Sequence, residues 1–600
     1  MNARGWDELD VLFVSGDAYI DHPAFGTALL ARLMEDEGYR IGIIAQPDWK
    51  DPQSFKRMGR PRLFAAISAG AMDSMVNHYT AAKRLRSNDA YSPGGAAGRR
   101  PNRAVIAYTA AVKGAFKGLP TVIGGLEASL RRLAHYDYWD DRVRRSILID
   151  SKADLLLYGM AEEALLDIAR NLKAGRSIAE ITSLRGTARL TKSAPDDARL
   201  LPDYDAVASD PEAYNTAFRL AAEEQNPFIG KPLSQKHGTR FVTVNPPPRP
   251  LKESQLDRIY GLPFSRQPHP AYNQEIPAWA QIRFSITSHR GCFGGCAFCA
   301  IAHHQGKTIQ SRSPDSIAAE LERMTHHPDF KGTVTDVGGP TANMYGLGCG
   351  DPAAEQRCRR SSCLYPRPCP SLRSDGHKAS RLLRRLHKHR KVKHLFVASG
   401  IRYDLLKYQQ DYFDQLLQHH VGGLLKVAPE STSDPVCQVM RKPAGTLFTE
   451  FLDQFRRRSQ QLGLRQSVVP YFISSHPGCT LNDMIEVACY LKEHRLRVEQ
   501  VQDFTPTPGS LATCIYHTGR DPFSGETVHV PRSTKERRLQ KSLLLYHRPE
   551  SKADILEALS LCDKEDLAHQ LLNGPYGKQS NRSPIHPRRR KQNRRTTKPN

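Results

Sequence analysis

No run of 18 consecutive apolar residues occurs in the 600-residue chain, which excludes a membrane-spanning helix on sequence grounds. The opening residues, Met1-Asn2-Ala3-Arg4-Gly5-Trp6-Asp7-Glu8, lack the apolar core of a secretory leader, so a cytoplasmic protein is expected. No Ser/His/Asp triad, metalloprotease helix motif or kinase signature is found. Acidic residues are the scarcer charge, 62 against 86 Lys and Arg, for a net charge of +24. From Tyr576 to Asn600 there are nine Lys/Arg and no Asp/Glu. Such an excess favours anionic substrates or nucleic acid, and equally fits a solvated basic surface. Bulk disorder is not expected, because 39% of residues are hydrophobic and 25% charged, ordinary for a cored protein. At about 100–200 residues per domain, the length implies about three or four units.

Cysteine, by contrast, is plentiful. In a reducing compartment disulfides are disfavoured, and clustered cysteines point to metal or chemistry. Seven of the twelve fall between Cys292 and Cys369. The others, Cys437, Cys479, Cys489, Cys514 and Cys562, are scattered and read as core filler.

The first part of the chain alternates strand and helix signals. Asp10–Gly16 reads as a buried strand, Phe25–Gly38 as a helix, and Arg40–Ala45 as a second strand. Thr121–Gly125 and Asp154–Gly159 repeat the pattern. This rhythm predicts an α/β domain over residues 1–185, a parallel sheet covered on both faces. Its ligands are expected beyond the carboxyl ends of the strands, at Ser15–Gly26 and Gly124–Ser129. The Gly/Pro/Arg-rich stretch Tyr91–Arg103 lacks a P-loop ending and reads as a flexible surface loop rather than an anion grip. Residues 186–280 read as a linker or interdomain segment with short elements of its own, stiffened by Pro246-Pro247-Pro248-Arg249-Pro250.

The rhythm then returns over 281–514. Six strands are expected: Arg283–Ser288, Thr333–Val337, His394–Ala398, Leu424–Ala428, Val468–Ile473 and Glu499–Phe504. Most intervening stretches read as helices, the first capped by Ser313-Pro314. Six strand–helix units suit an open, partial barrel, in which the loops after the strands carry the chemistry. Residues 515–575 read as a helical extension, and 576–600 as a disordered basic tail. A nucleic-acid contact is the tail's alternative reading.

The sharpest motif is Cys292-Phe293-Gly294-Gly295-Cys296-Ala297-Phe298-Cys299. Three thiolates in eight residues suit three irons of a cubane that usually takes four cysteines. The fourth iron is then left for an outside ligand. A sulfonium compound chelated there can accept an electron and lose a carbon–sulfur bond. The alternative is structural zinc, with His303 or His304 as fourth ligand. The compact triple departs from the paired spacing of most zinc modules.

The triple resembles the signature of the radical S-adenosylmethionine (SAM) superfamily. Gly124–Arg132, His135–Trp139, Arg290–Cys296 and Pro470–Gly478 further resemble the YgiQ family, radical SAM proteins of unknown reaction, up to about residue 570. The resemblance implies a Rossmann-like N-terminal domain followed by a partial (β/α)6 radical SAM barrel. It implies a 4Fe–4S cluster on Cys292, Cys296 and Cys299, with SAM on the open iron. SAM cleavage would give methionine and a 5′-deoxyadenosyl radical that acts on an unidentified substrate. Gly338-Gly339-Pro340 resembles the glycine motif that meets the SAM amino group. Ser399 and Arg402 stand where the superfamily contacts ribose and carboxylate, and Glu430 is expected to do similar work. An electron donor such as flavodoxin or ferredoxin is implied.

Cys349, Cys358, Cys363 and Cys369 suggest a second metal, zinc or an auxiliary iron–sulfur cluster. The N-terminal domain resembles the cobalamin-binding domains fused to many radical SAM enzymes. However, Asp21-His22-Pro23-Ala24-Phe25-Gly26 misses the spacing of the cobalt-ligating Asp-x-His-x-x-Gly, so cobalamin is not expected. His22 reads as a capping or surface histidine. The rival reading from another class is a non-catalytic, metal-stabilised RNA-binding protein. It would use the basic tail and the Arg384, Arg385, Lys388 and Arg390 stretch, which otherwise reads as one face of a helix.

Overall fold

The computed structural model describes Met1 and residues 4–573; the expected tail, 576–600, lies outside the described residues. The N-terminal rhythm builds five parallel strands: β1 (Val11–Ser15), β2 (Ile41–Ala45), β3 (Phe64–Ser68), β4 (Thr121–Gly124) and β5 (Leu155–Leu157). They lie in the order β2-β1-β3-β4-β5. Side chains alternate between two covered faces, which is why β1 reads as an unbroken apolar run. Val11 and Phe13 pack with α1 (Gly26–Asp36) and α4 (Glu162–Lys173). Leu12 and Val14 pack with α2 (Ala104–Ala115) on the other side. The short α3 (Gly125–Leu130) follows β4 directly. In this strand order the sheet reverses its direction of growth at β1 and β3. The crevice outside the carboxyl ends at that point is a ligand position in such sheets.

Residues 186–280, expected as an interdomain segment, instead extend this sheet. β6 (Thr187–Thr191), β7 (Arg199–Leu201), β8 (Leu233–His237) and β9 (Arg240–Val244) add beyond β5 in the order β6-β9-β8-β7 and make nine strands. β6 pairs antiparallel with β5 and β9, and β9 antiparallel with β8. These strands escaped the apolar pattern because they bury polar side chains. In β8, Gln235 is buried, its oxygen accepting from the Ala134 N–H at 2.8 Å and its amide donating to the Pro202 carbonyl at 3.1 Å. The proline run Pro246–Pro250 follows β9 without helix or strand.

The loop 91–103 is also not a flexible surface loop. Arg100 is fully buried, donates to the Ala69 carbonyl at 2.9 Å, and pairs with Asp17 and Asp89 at 3.0 and 2.9 Å. Three charged groups with reciprocal hydrogen bonds hold the loop under the end of β1.

The second half carries short strands at all six expected positions. β10 (Ser285–Thr287) pairs in parallel with β12 (Asp336–Gly338), Thr287 opposite Gly338. β11 (Thr333–Val334) pairs in parallel with β13 (His394–Leu395). A parallel bridge from Ile401 to Val427 leads to β14 (Leu424–Glu430), which pairs with β15 (Ser467–Ser474), and that with β16 (Val501–Asp503). Spatial neighbours therefore follow chain order. Among the intervening helices are α5 (Ile301–Gln305), α6 (Pro314–Thr325) and α7 (His377–His387). Ser313 caps α6 as expected, its hydroxyl accepting from the Ser316 N–H at 3.1 Å. On α7, Leu382, Leu383 and Leu386 are buried, while Arg384 and Arg385 pair with Asp411 and Asp315. Arg384 and Arg385 thus sit on a solvated helix face, with Lys388 at its C-cap and Arg390 beyond its end.

The C-terminal helices include α8 (Leu511–Thr518) and α9 (Thr534–Leu544). They hold the N-terminal domain to the core. Tyr136 stacks on His517 at 4.6 Å, and Arg537 donates to the Tyr138 hydroxyl at 2.6 Å. That contact accounts for the His135–Trp139 motif. Of the scattered cysteines, Cys437, Cys479 and Cys514 are buried filler, while Cys489 and Cys562 are half-buried.

Candidate functional site

The cysteine loop leaves β10 through Ser288, His289 and Arg290. The buried Arg290 guanidinium pairs with Glu162 at the start of α4 and donates to the Tyr260 hydroxyl at 3.0 Å. The N-terminal domain thereby pins the residue two positions before the first cysteine. Cys292, Cys296 and Cys299 are free thiols. Gly295 has a φ of +64°, and a Cβ there would lie 2.6 Å from the Ser362 side chain, so only glycine fits. Ser362 in turn donates to the Gly294 carbonyl at 2.8 Å, and the Cys363 N–H donates to the Phe293 carbonyl at 3.0 Å. The second cysteine segment therefore buttresses the first.

Arg402 faces this loop. Its Nη1 is 3.4 Å from Cys296 Sγ, while its fork holds Asp404 at 2.8 and 2.7 Å. Thr341 Oγ1 lies 3.7 Å from Cys292 Sγ. Burial pushes the Cys299 thiol up to about 12, and burial with the neighbouring Cys296 raises Cys292. Added positive charge is what would turn these sulfurs into thiolates. Three such donors with a guanidinium alongside fit an iron–sulfur cluster, whose potential responds to hydrogen bonds at sulfur. Among the described residues no three His, Cys, Asp or Glu side chains converge to hold one ion. Of the two histidines weighed as a fourth zinc ligand, His304 has its Nδ1 3.1 Å from Ser129 Oγ. This contact joins the Gly124–Arg132 motif to the helix after the cysteines. In the Pro470–Gly478 motif, His476 meets Phe298 edge to face at 5.8 Å.

Gly338-Gly339-Pro340 ends β12 beside the loop. A Cβ on Gly339 would lie 2.7 Å from the His289 carbonyl oxygen, so the turn can run this close only without a side chain. The Ser399 hydroxyl is bonded to Asp336, which also accepts from the Ser399 N–H at 3.0 Å. Gly338, Gly339, Pro340 and Ser399 line a cavity of about 640 Å³; Arg402 and Glu430 do not. Glu430 sits at a register shift between β14 and β15 with φ +68°, a backbone region costly for a residue with a side chain. Burial raises its carboxyl, and its charge acts on Cys299.

The large cavity lies between the two sheets. Ser15, Ser68 and Gly124 reach it from the carboxyl ends of the N-terminal strands, Thr287 and Gly338 from the core, and His304 from α5. Its position agrees with the crevice expected from the strand order, including Asp17 and Phe25. His22 lies outside its walls and is buried rather than on the surface. Its Nδ1 accepts from the Ala24 N–H at 3.1 Å and its Nε2 is 2.9 Å from Arg266 Nη1. In the second cysteine group, Cys358 Sγ accepts from Lys307 at 3.1 Å. The Cys369 N–H donates to the Cys363 carbonyl at 2.8 Å, and the Cys349 thiol to the Asp351 carbonyl at 3.2 Å.

Sequence reasoning missed Glu162, Thr341, Asp336 and Asp404. Asp404, two residues from Arg402, and Asp336, in an apolar strand, left weak signals. Glu162 lies 128 residues from its partner and left none.

The radical SAM N-terminal family model matches residues 1–285, and a domain of unknown function (DUF3362) matches 499–598. A UPF0313 protein of Geobacter sulfurreducens is 56% identical, covering 97% of this chain and 96% of that protein. One from Methanocella arvoryzae is 49% identical over 94% and 95%. The UPF0313 protein YgiQ of Escherichia coli is 43% identical over 94% and 85%. Among solved structures, the radical SAM methyltransferase TsrM of Kitasatospora setae, with cobalamin and a 4Fe–4S cluster bound, is 12% identical. It covers 96% of this chain and 93% of that one, with a TM-score of 0.49. The cobalamin-dependent SAM radical enzyme OxsB is 10% identical over 94% and 76%, with a TM-score of 0.48. Both contain cobalamin, so these comparisons lend nothing to the expectation that this chain lacks it. No helix among the described residues is long and apolar enough to cross a membrane. With relatives along nearly its whole length, the chain belongs to the UPF0313 family, which includes YgiQ.

Proposed function

We propose that this protein is a radical SAM enzyme whose Cys292, Cys296 and Cys299 hold one 4Fe–4S cluster. The strands from β10 to β16 form its partial (β/α)6 barrel. The observation that carries the reading is a three-thiol loop after the first strand and a glycine turn after the second, on two paired strands; the glycine turn lines the large cavity, which the three cysteines do not. When bound, such a cluster supplies the electron that cleaves SAM into methionine and a 5′-deoxyadenosyl radical. The chain's own residues prepare for this. Arg402 sets positive charge against Cys296. Gly339 admits a ligand's polar end to backbone. The apolar walls exclude water from a reactive species. The substrate would enter the same cavity from the N-terminal sheet.

Anaerobic reconstitution should give a brown protein whose paramagnetic resonance signal changes on adding SAM and which releases 5′-deoxyadenosine when reduced. Unchanged release after replacing all three cysteines by alanine would overturn the assignment.

A further inference from the structure

One buried cation near the seam between the two halves has no counter-charge. Arg132 follows α3 and is 8% exposed. Its Nη1 donates to the Ser129 carbonyl at 2.6 Å, and its guanidinium lies 4.5 Å from the centre of the Tyr158 ring. Its Nε and Nη2 have no hydrogen-bond partner among the described residues. Elsewhere in this domain buried guanidiniums are paired: Arg131 with Asp73, and Arg100 with Asp17 and Asp89. Burial lowers the pKa of Arg132, yet a guanidinium keeps its proton inside proteins. A buried charge calls for a partner. Nε and Nη2 form the edge with which Arg402 holds Asp404, at 2.8 and 2.7 Å, and Arg32 holds Asp21, at 3.1 and 2.6 Å. That edge is the fork that matches a carboxylate.

Arg132 lines a cavity of about 70 Å³, with the helix Pro211–Glu223 on one side and His303 of α5 on another. Leu130, Leu133, Val207 and Ala217 give it apolar walls, and no Asp, Glu or Lys lines it. Its two histidines are uncharged, since burial takes His135 down to about 3 and His303 down to about 4. Arg132 is therefore the single charge on the wall. The cavity shares Phe218, Ala222, Gln225 and His303 with one of about 140 Å³, the smaller of the two that flank α5. Arg249, Lys307, Arg359, Arg360 and Arg441 line that neighbour against one carboxylate, Glu223. A field of one sign concentrates small ions of the other, so the approach to Arg132 favours anions.

We propose that this cavity binds the carboxylate of a small organic acid on Arg132, with its short apolar tail against Leu130, Leu133 and Val207. One carboxylate balances one guanidinium. A phosphate dianion would keep a charge unmatched between two neutral imidazoles, and a metal ion would be repelled by the guanidinium. The space is too small for a nucleotide. The site is separate from the cluster reading, because none of Cys292, Cys296 and Cys299 lines this cavity.

The test titrates the full-length protein with sodium butyrate in a calorimeter at fixed ionic strength. Wild type should take up a single butyrate per chain with a dissociation constant of about 1 mM or tighter, and equal concentrations of chloride or phosphate should not displace it. Arg132→Met should weaken binding by about tenfold or more through loss of the charge-assisted fork. Without ligand this variant should melt no lower than wild type, because an apolar side chain replaces an unpaired buried charge. Ala221→Leu narrows the cavity and leaves Arg132 in place; it should weaken butyrate by about tenfold as well, since a filled space resists a further group. No uptake by wild type, or equal affinity in wild type and Ala221→Leu, would overturn the site. A lower melting temperature for Arg132→Met with butyrate affinity unchanged would reduce the guanidinium to a tie between Ser129 and Tyr158. Phosphate binding more tightly than butyrate would overturn the carboxylate assignment.

Discussion

The two cavities flanking α5 differ in size, walls and charge, and the difference separates two tasks. The larger is built from strand ends of both halves and is mostly apolar, with glycine turns admitting close approach. Its polar groups are nearly all paired within the protein, Ser399 with Asp336 and Arg290 with Glu162. The smaller is bounded by prolines and by five Lys and Arg side chains against one lining carboxylate, Glu223. An apolar chamber protects reactive chemistry, while a basic rim attracts groups of opposite charge. Gly159, Met160, His304 and Gln305 line both cavities and form the partition between them, while Cys296 and Cys299 line only the smaller.

The strongest way to break this contrast is to unseat the partition. Glu162→Gln leaves Arg290 buried without its counter-charge and should cost about 3–5 kcal/mol. Chemical denaturation would register it, and an early proteolytic cut between the halves would accompany it. Unchanged stability would mean that the interdomain seam does not depend on this pair. Arg402→Lys removes the planar fork that joins Asp404 to Cys296. Metal affinity or activity should drop about 10- to 100-fold, as for other groups that orient ligands; iron titration against a chelator measures it. Gly339→Ala puts a methyl against the His289 carbonyl and should cost about 1–3 kcal/mol. SAM binding, read by calorimetry, should weaken while iron uptake stays at wild type, and unchanged SAM binding would mean that the close turn is not used.

The smallest effect is with pH. Burial pushes His289, His304 and His476 down to about 4, whereas in the unfolded chain they protonate near pH 6.5. Between these values the unfolded state holds more protons, so stability is full above about pH 6.5 and is lost as pH falls toward 4. Asp17, raised by burial to about 6, acts in the opposite sense over part of that window. The melting temperature of the metal-free protein should be lower at pH 5 than at pH 7, by about 2–4 °C per kcal/mol. A flat profile would mean that these rings are not held neutral.

How much of this was legible in the sequence depends on what kind of signal each part left. β1 to β5 were readable because each buries both faces and so shows a continuous apolar run. β8 was not, because Gln235 satisfies itself on backbone from other segments. Arg100 looked like a loop cation because its partners, Asp17 and Asp89, become neighbours only once β1 and the loop have folded. The cysteine triple was legible as a local pattern with a chemical meaning. Its supports were not: Ser362 and Arg402 reach the loop from 68 and 106 residues away, and no spacing rule spans such distances.

Tyr138, near the front of the chain, is completed by Arg537, 399 residues later. A ribosome that has made the whole N-terminal sheet and all seven clustered cysteines has still not made one of the side chains that fasten the two halves. The nascent protein therefore carries part of that seam unclosed until its last helices emerge.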